Sequence, residues 1–260
     1  MMTSDLFPDE DYRFRLNLER EDVARFFAPT EHHEALLAER ARWIQTTPDA
    51  CVAALPEAAE VVMRFAELVS GTMCPSPIER TDTLSLCAEL GRHLEPDFLV
   101  LKPDREGTFR LVAGCVCFPS SWSLPEKMGR PLGEIHGVVP GLNASLGRSI
   151  DGFLSRLKPG TGWRRANWGL SRSPELNQNP ERRLPRLDAA VRENEVWLRI
   201  EHQILTALPT GGILFGIRIE SRPLVQVRRE AGVAAALARA LRTMPEEVAR
   251  YKGLATARTT

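Results

Sequence analysis

From Arg20 to Arg42 the chain is rich in Glu, Ala, Leu and Arg, and Leu36, Leu37 and Ala41 recur at helical spacing, which predicts a helix there. Pro48 ends that pattern. Pro56 opens a second helix through Ser70, with Ala59, Val62, Met63, Phe65 and Ala66 as its apolar stripe and Gly71 as its stop. A third, short helix is predicted from Thr83 to His93.

The period then changes. Phe98 to Leu101, a turn over Asp104 to Gly107, and Phe109 to Phe118 predict two strands joined in a hairpin. Pro119, Pro125, Pro131 and Pro140 punctuate an irregular stretch that holds Trp122, Lys127 and His136, and chemistry is expected there. Leu142, Leu146, Ile150, Phe153, Leu154 and Leu157 return to spacings of three and four, so Gly141 to Leu157 reads as an amphipathic helix lying against the sheet. Trp163 to Leu170 reads as a strand and Ser171 to Arg186 as a long loop.

Val196 to Leu205 alternates sharply, with Val196, Leu198, Ile200, His202 and Ile204 on one face and Trp197, Arg199, Glu201, Gln203 and Leu205 on the other. A turn at Thr210-Gly211-Gly212 leads to a return strand, Ile213 to Ile219. After Pro223, Val233, Ala236, Leu237 and Leu241 mark a helix, and a short one follows near Glu246 to Tyr251. Strands that arrive in hairpins, with helices grouped before and between them, define an α+β class with an antiparallel sheet. No repeat, low-complexity tract or long linker interrupts residues 1–260, which read as a single domain with helical N-terminal and C-terminal extensions.

Composition excludes some functions. Lys plus Arg equals Asp plus Glu at 34 each, so no global field draws the chain to nucleic acid or an anionic membrane. The opening MMTSDLFPDEDYRFRLN is acidic and carries no apolar run of signal-peptide length, and nowhere do about 18 apolar residues follow one another. A cytoplasmic protein that neither spans nor binds a membrane is expected. The five cysteines, Cys51, Cys74, Cys87, Cys115 and Cys117, lack framework spacing and read as reduced thiols used in packing. No Gly-rich phosphate or dinucleotide loop follows any strand.

The run Cys117-Phe118-Pro119-Ser120-Ser121-Trp122, then Glu126-Lys127-Met128-Gly129, then Leu132-Gly133-Glu134-Ile135-His136-Gly137-Val138-Val139-Pro140 resembles the central motif of the haem-dependent oxidative N-demethylases. Arg165-Ala166-Asn167-Trp168, Leu198 to Gln203 with Leu208-Pro209, and Tyr12-Arg13-Phe14 leading to Leu36 to Arg40 agree with it, so the resemblance runs from about Tyr12 to Leu254. It implies a PAS-like fold enclosing a b-type haem (iron), oxidation by dioxygen of a methyl group on a small secondary amine such as dimethylamine, and release of formaldehyde. Electrons would come from a partner reductase carrying flavin and an iron–sulfur cluster. Two positions depart from the family's pattern: Gly137-Val138 stands where a proline precedes Val-Pro, and His202 where arginine is usual.

Several residues then carry two readings. His136, in a Pro-flanked segment, is a candidate axial ligand of the iron or else a packing histidine. Cys115 and Cys117 share a strand face and suit either a thiolate ligand or apolar packing, without the further ligands of a zinc site. Lys127, Arg130 and Arg165 are candidates for neutralising haem propionates, or are solvated surface. Trp122 and Trp168, with Asn167 beside the latter, are candidates to line the cofactor pocket, or belong to the core. Arg199 and Glu201 are candidate catalytic groups, Glu201 holding a cationic amine; the alternative is an internal ion pair. A haem-binding sensor or interaction module on the same fold, and a haem-free structural protein, are the alternative functions.

Overall fold

The computed structural model describes residues 6–70 and 82–257; the predicted stop at Gly71 and Cys74 lie outside them. Seven strands form one sheet: β1 (Glu19–Glu21), β2 (Val52–Ala54), β3 (Asp97–Pro103), β4 (Phe109–Cys115), β5 (Gly162–Ser171), β6 (Trp197–Ala207) and β7 (Ile213–Pro223). Their spatial order is β1-β5-β6-β7-β3-β4-β2, and every pairing is antiparallel. The five long strands, taken alone, run second-first-fifth-fourth-third. That is the antiparallel PAS-like arrangement the resemblance implied.

Ten α-helices accompany the sheet among the described residues: α1 (Val23–Phe27), α2 (His33–Thr46), α3 (Pro48–Cys51), α4 (Ala59–Val69), α5 (Thr83–His93), α6 (Leu132–Gly137), α7 (Leu142–Leu154), α8 (Leu224–Val227), α9 (Val233–Thr243) and α10 (Glu246–Tyr251). The single helix expected over 20–42 is thus three elements. Glu19–Glu21 pairs with β5, where Arg164 meets both glutamates. Asp22 then caps α1 by accepting from the Ala24 and Arg25 N–H groups. Pro29 forces Ala28 out of helical geometry, at φ −60°, ψ 146°, and the chain must restart as α2. β2 escaped the pattern because three residues between two prolines leave no period to read.

Register explains the two faces of the sheet. Leu205, Phe215, Ile217 and Ile219 face one side and pack on Ile150, Phe153 and Leu154 of α7. On the other side α4 and α5 bury Val62, Phe65 and Leu90 against Phe98, Val100 and Leu214. Rings of Phe27, Phe65 and Phe98 form a continuous tilted series at centroid spacings of 6.1 and 4.9 Å. Farther along that side, Leu198 and Ile200 of β6 meet Val233, Ala236 and Leu237 of α9. The four described cysteines are free and buried; Cys115 and Cys117 lie together, with Sγ atoms 4.0 Å apart.

One ionic network ties helices to sheet. Arg40 of α2 is wholly buried and donates to Gly91 O at 2.7 Å and Asp97 Oδ1 at 2.5 Å. The Asp97 carboxylate in turn accepts from the N–H groups of Cys117 (2.7 Å) and Phe118 (2.9 Å). The carbonyls of Phe118 and Pro119, on the same short segment, accept from Arg199 of β6. Removing one partner of a buried pair strands the other, so Asp97→Asn should cost about 3–5 kcal/mol in chemical denaturation. A loss under about 1 kcal/mol would mean the pair does not hold the fold.

Candidate functional site

The Pro-rich stretch after β4 is not irregular where it matters. Gly129 N–H donates to Leu111 O and Leu111 N–H to Arg130 O, which lays residues 129–131 along β4. Pro131 then starts α6, a position that needs no N–H, and His136 stands in its last turn. Gly141, at φ +75°, reverses the chain into α7, and Asn143 Nδ2 donates to Gly133 O at 2.7 Å to fix one helix on the other. Leu132 and Ile135 face the apolar layer under the sheet. His136 is left half-buried between α7 and β5.

A cavity of about 380 Å³ opens at that place, within the size range of small-molecule and cofactor sites. One wall is β5 from Arg165 to Trp168; another is α7, through Leu142, Leu146 and Ile150; His136 and Lys252 complete the interior. The N-terminal segment from Leu6 to Glu19 lies along the opening. It is tied down by Arg239 to Asp9 and Asp11, by Tyr12 N–H to Thr243 Oγ1, and by a T-shaped contact of Phe7 with Trp168. Burial, reinforced by the charge of Arg165 and only partly offset by Asp151, lowers the His136 pKa, so the imidazole is neutral at neutral pH with its nitrogens available.

Arg165 places two of its nitrogens: Nη1 donates to Gln203 Oε1 at 3.2 Å and Nη2 to Arg15 O at 3.3 Å. Its Nε is closed to solvent and has no hydrogen-bond partner among the described residues. Behind it, Glu201 Oε2 accepts from Asn167 Nδ2 (3.3 Å) and Gln203 Nε2 (2.9 Å), so the carboxylate sits one layer behind the cavity wall. A second cavity of about 260 Å³ lies on the other side of Arg165, bordered by Phe26, Arg164, His202 and Arg218. There His202 meets Glu220 at 2.9 Å.

The cavity therefore gathers His136, Arg165, Asn167 and Trp168, with Glu201 adjoining. Trp122, Lys127 and Arg130 are not among its lining residues. Trp122 packs at the margin of the apolar layer under the sheet, and Lys127 and Arg130 stand on the turn before α6. Arg199 is 4% exposed and its guanidinium is consumed by Ser120 Oγ and by the carbonyls of Phe118, Pro119, Glu175 and Leu176. It makes no ion pair with Glu201 among the described contacts. Lys252 and the N-terminal segment went unread in the sequence as parts of a site. The alternation Tyr12, Phe14, Leu16, Leu18 was the available signal for an extended strap.

Among the described residues no group of three or more His, Cys, Asp or Glu side chains is arranged to hold a metal, and no helix is long and apolar enough to cross a membrane. A metal at His136 would have to bring most of its own ligands, as a macrocycle does. The antiparallel α+β fold thus carries a cavity lined by one imidazole, His136, and by one buried, incompletely bonded guanidinium, Arg165. The chain matches the family described as haem-dependent oxidative N-demethylase, alpha subunit-like, over residues 75–260, more than two thirds of its length. It belongs to that family. The N-terminal strap and α2, with the Tyr12 and Leu36 to Arg40 stretches, precede the matched span.

The depressed His136 pKa has a measurable consequence in the ligand-free protein. Between the ordinary histidine value and the lower folded one, the unfolded chain binds the proton more readily, so stability falls as pH drops through about 6.5. His136→Asn should flatten that part of the stability–pH curve in denaturation experiments. An unaltered slope would show that His136 titrates as an exposed imidazole.

Proposed function

We propose that this protein is the haem-bearing subunit of an oxidative N-demethylase that acts on a small secondary amine and draws electrons from a partner reductase carrying flavin and an iron–sulfur cluster. The observation that carries this reading is that His136 and Arg165, whose buried Nε has no hydrogen-bond partner among the described residues, line one cavity in a chain of this family. When bound, a b-type haem would supply the two-electron oxidation of the N-methyl group by dioxygen, leaving formaldehyde, the demethylated amine and water.

The chain's own residues would do the rest. His136 would give the iron its one protein nitrogen, held in place by α6 and the Asn143 bond. Arg165 would face a haem carboxylate, since a buried anion needs a cation or donors. Leu142, Leu146, Ile150 and Trp168 would exclude water around the macrocycle. Glu201, already oriented by Asn167 and Gln203, would supply the counter-charge for a protonated amine. Arg199 would position the segment from Phe118 to Ser120 and touch neither amine nor cofactor.

Protein reconstituted with haem, reduced, and given oxygen and dimethylamine should produce formaldehyde only when an external reductase is supplied. Haem binding without formaldehyde under those conditions would favour the sensor reading. Glu201→Gln should keep the haem and weaken amine binding about ten- to a hundredfold, as expected for the loss of a counter-charge acting through one layer of side chains. Amine-induced shifts of the Soret band, titrated beside a thermal melt, read this out. A lowered melting temperature with unchanged amine affinity would leave Glu201 as a structural residue.

A further inference from the structure

Lys252, just past the end of α10, reaches back to the sheet edge, where its Nζ donates to Trp168 O at 2.7 Å and lies 5.4 Å from the centroid of the Trp168 ring. It lines the same cavity as Arg165. No carboxylate lies within ion-pair distance of it among the described residues. Burial, with Arg165 nearby adding to it and Glu201 opposing, pushes the Lys252 pKa down to about 8. Arg165, too, is held below its usual value by burial despite Glu201.

The charges around the cavity do not balance. The carboxylates of the strap are already committed: Glu10 to Arg13 and Arg15, Asp9 and Asp11 to Arg239, Glu19 to Arg164. Glu201 is the acidic group whose field reaches both Arg165 and Lys252, and its Oε2 is engaged by Asn167 and Gln203. The two cavity-lining cations therefore share one carboxylate, and share it with Arg199 behind them, while donor capacity remains on Arg165 Nε and on the Lys252 ammonium. Cations taken from water without a full complement of acceptors are costly unless an anion completes them.

We infer that Arg165 and Lys252 form a carboxylate-binding site in the cavity wall, with Lys252, which lies outside the motifs quoted above, as the anchoring residue. The carboxylate has two chemical sources. One is the propionate edge of a haem, which rests on the function proposed above; the other is a carboxylate on the amine substrate itself, as in an N-methylated amino acid. Either would sit beside the indole of Trp168, with its charge met by a guanidinium and an ammonium.

Lys252→Met keeps the aliphatic stem and removes the charge together with the Trp168 O bond, so its melt is recorded beside the binding. Lys252→Arg, which restores a cation, serves as the control for folding and for recovery of binding. Soret titrations with haemin and with its dimethyl ester, which lacks free carboxylates, separate the sources. If the site holds the cofactor, Lys252→Met should bind haemin about ten- to a hundredfold more weakly while the ester binds both proteins alike. If it holds the substrate, haemin affinity should be unchanged, and the advantage of N-methylglycine over dimethylamine in shifting the Soret band should disappear in the variant.

A wild type that takes up neither haemin nor the ester would defeat the haem reading and leave the anion site to a thermal-shift titration of the free protein with N-methylglycine. A stabilisation seen in the wild type and absent in Lys252→Met would then support the site. Equal haemin affinities together with equal responses to N-methylglycine in the two proteins, or in the free protein equal or absent shifts, would overturn it.

Discussion

The buried Arg40–Asp97 pair fixes where the chain goes after β4, and the site depends on that direction. An ion pair taken out of water survives only when the remaining donors and acceptors of both partners are used. Here they are: Arg40 reaches Gly91 O and stacks over the Phe118 ring at 5.6 Å, and Asp97 takes the N–H groups of Cys117 and Phe118. The next carbonyls along the chain go to Arg199, which also gathers Glu175 and Leu176 from the long loop before β6. Helix, sheet and loop are thereby joined through main-chain atoms of one short segment.

Downstream of that segment, residues 129–131 join the edge of β4, α6 begins at Pro131, and His136 arrives between α7 and β5. The geometry that results is asymmetric. Most of the sheet is covered on both faces, yet β5 stays half-buried along nearly its whole length because its outer edge borders the cavity and not another long strand. β1 pairs with only its first three residues, and the strap from Leu6 to Glu19 covers the rest. Exposed backbone at a sheet edge would normally invite pairing with another chain; here the strap and the Lys252–Trp168 O bond occupy that edge.

The strands of the second half were legible because alternation survives in a half-polar face: Arg199, Glu201 and Gln203 do share one side of β6, paired with Asn167 and Arg165 of β5. The antiparallel α+β class followed from the hairpins. What the pattern could not reveal is who a charged side chain bonds. Arg199 and Glu201 stand two residues apart on one face, yet the arginine is consumed by carbonyls some 80 and 24 positions away in sequence while the glutamate faces β5. Main-chain acceptors carry no residue identity, so no motif announces them. Trp122, Lys127 and Arg130 lie in or beside the recognisable run, yet of that stretch it is His136 that reaches the cavity lining. Lys252 lies far along the chain, just past a short helix and with no motif around it, and only the fold brings it back to β5.

The claim on which the rest turns is that His136 is the protein's hold on a haem iron. His136→Gly leaves a space the size of an imidazole in a segment whose backbone is fixed by α6 and Asn143, so the missing ligand can be offered from solution. Reconstituted with haem, the glycine variant should show weakened retention and an altered axial spectrum, and added imidazole should restore both toward the wild type. A glycine variant that binds haem fully, with a spectrum identical to the wild type and indifferent to imidazole, would contradict the account.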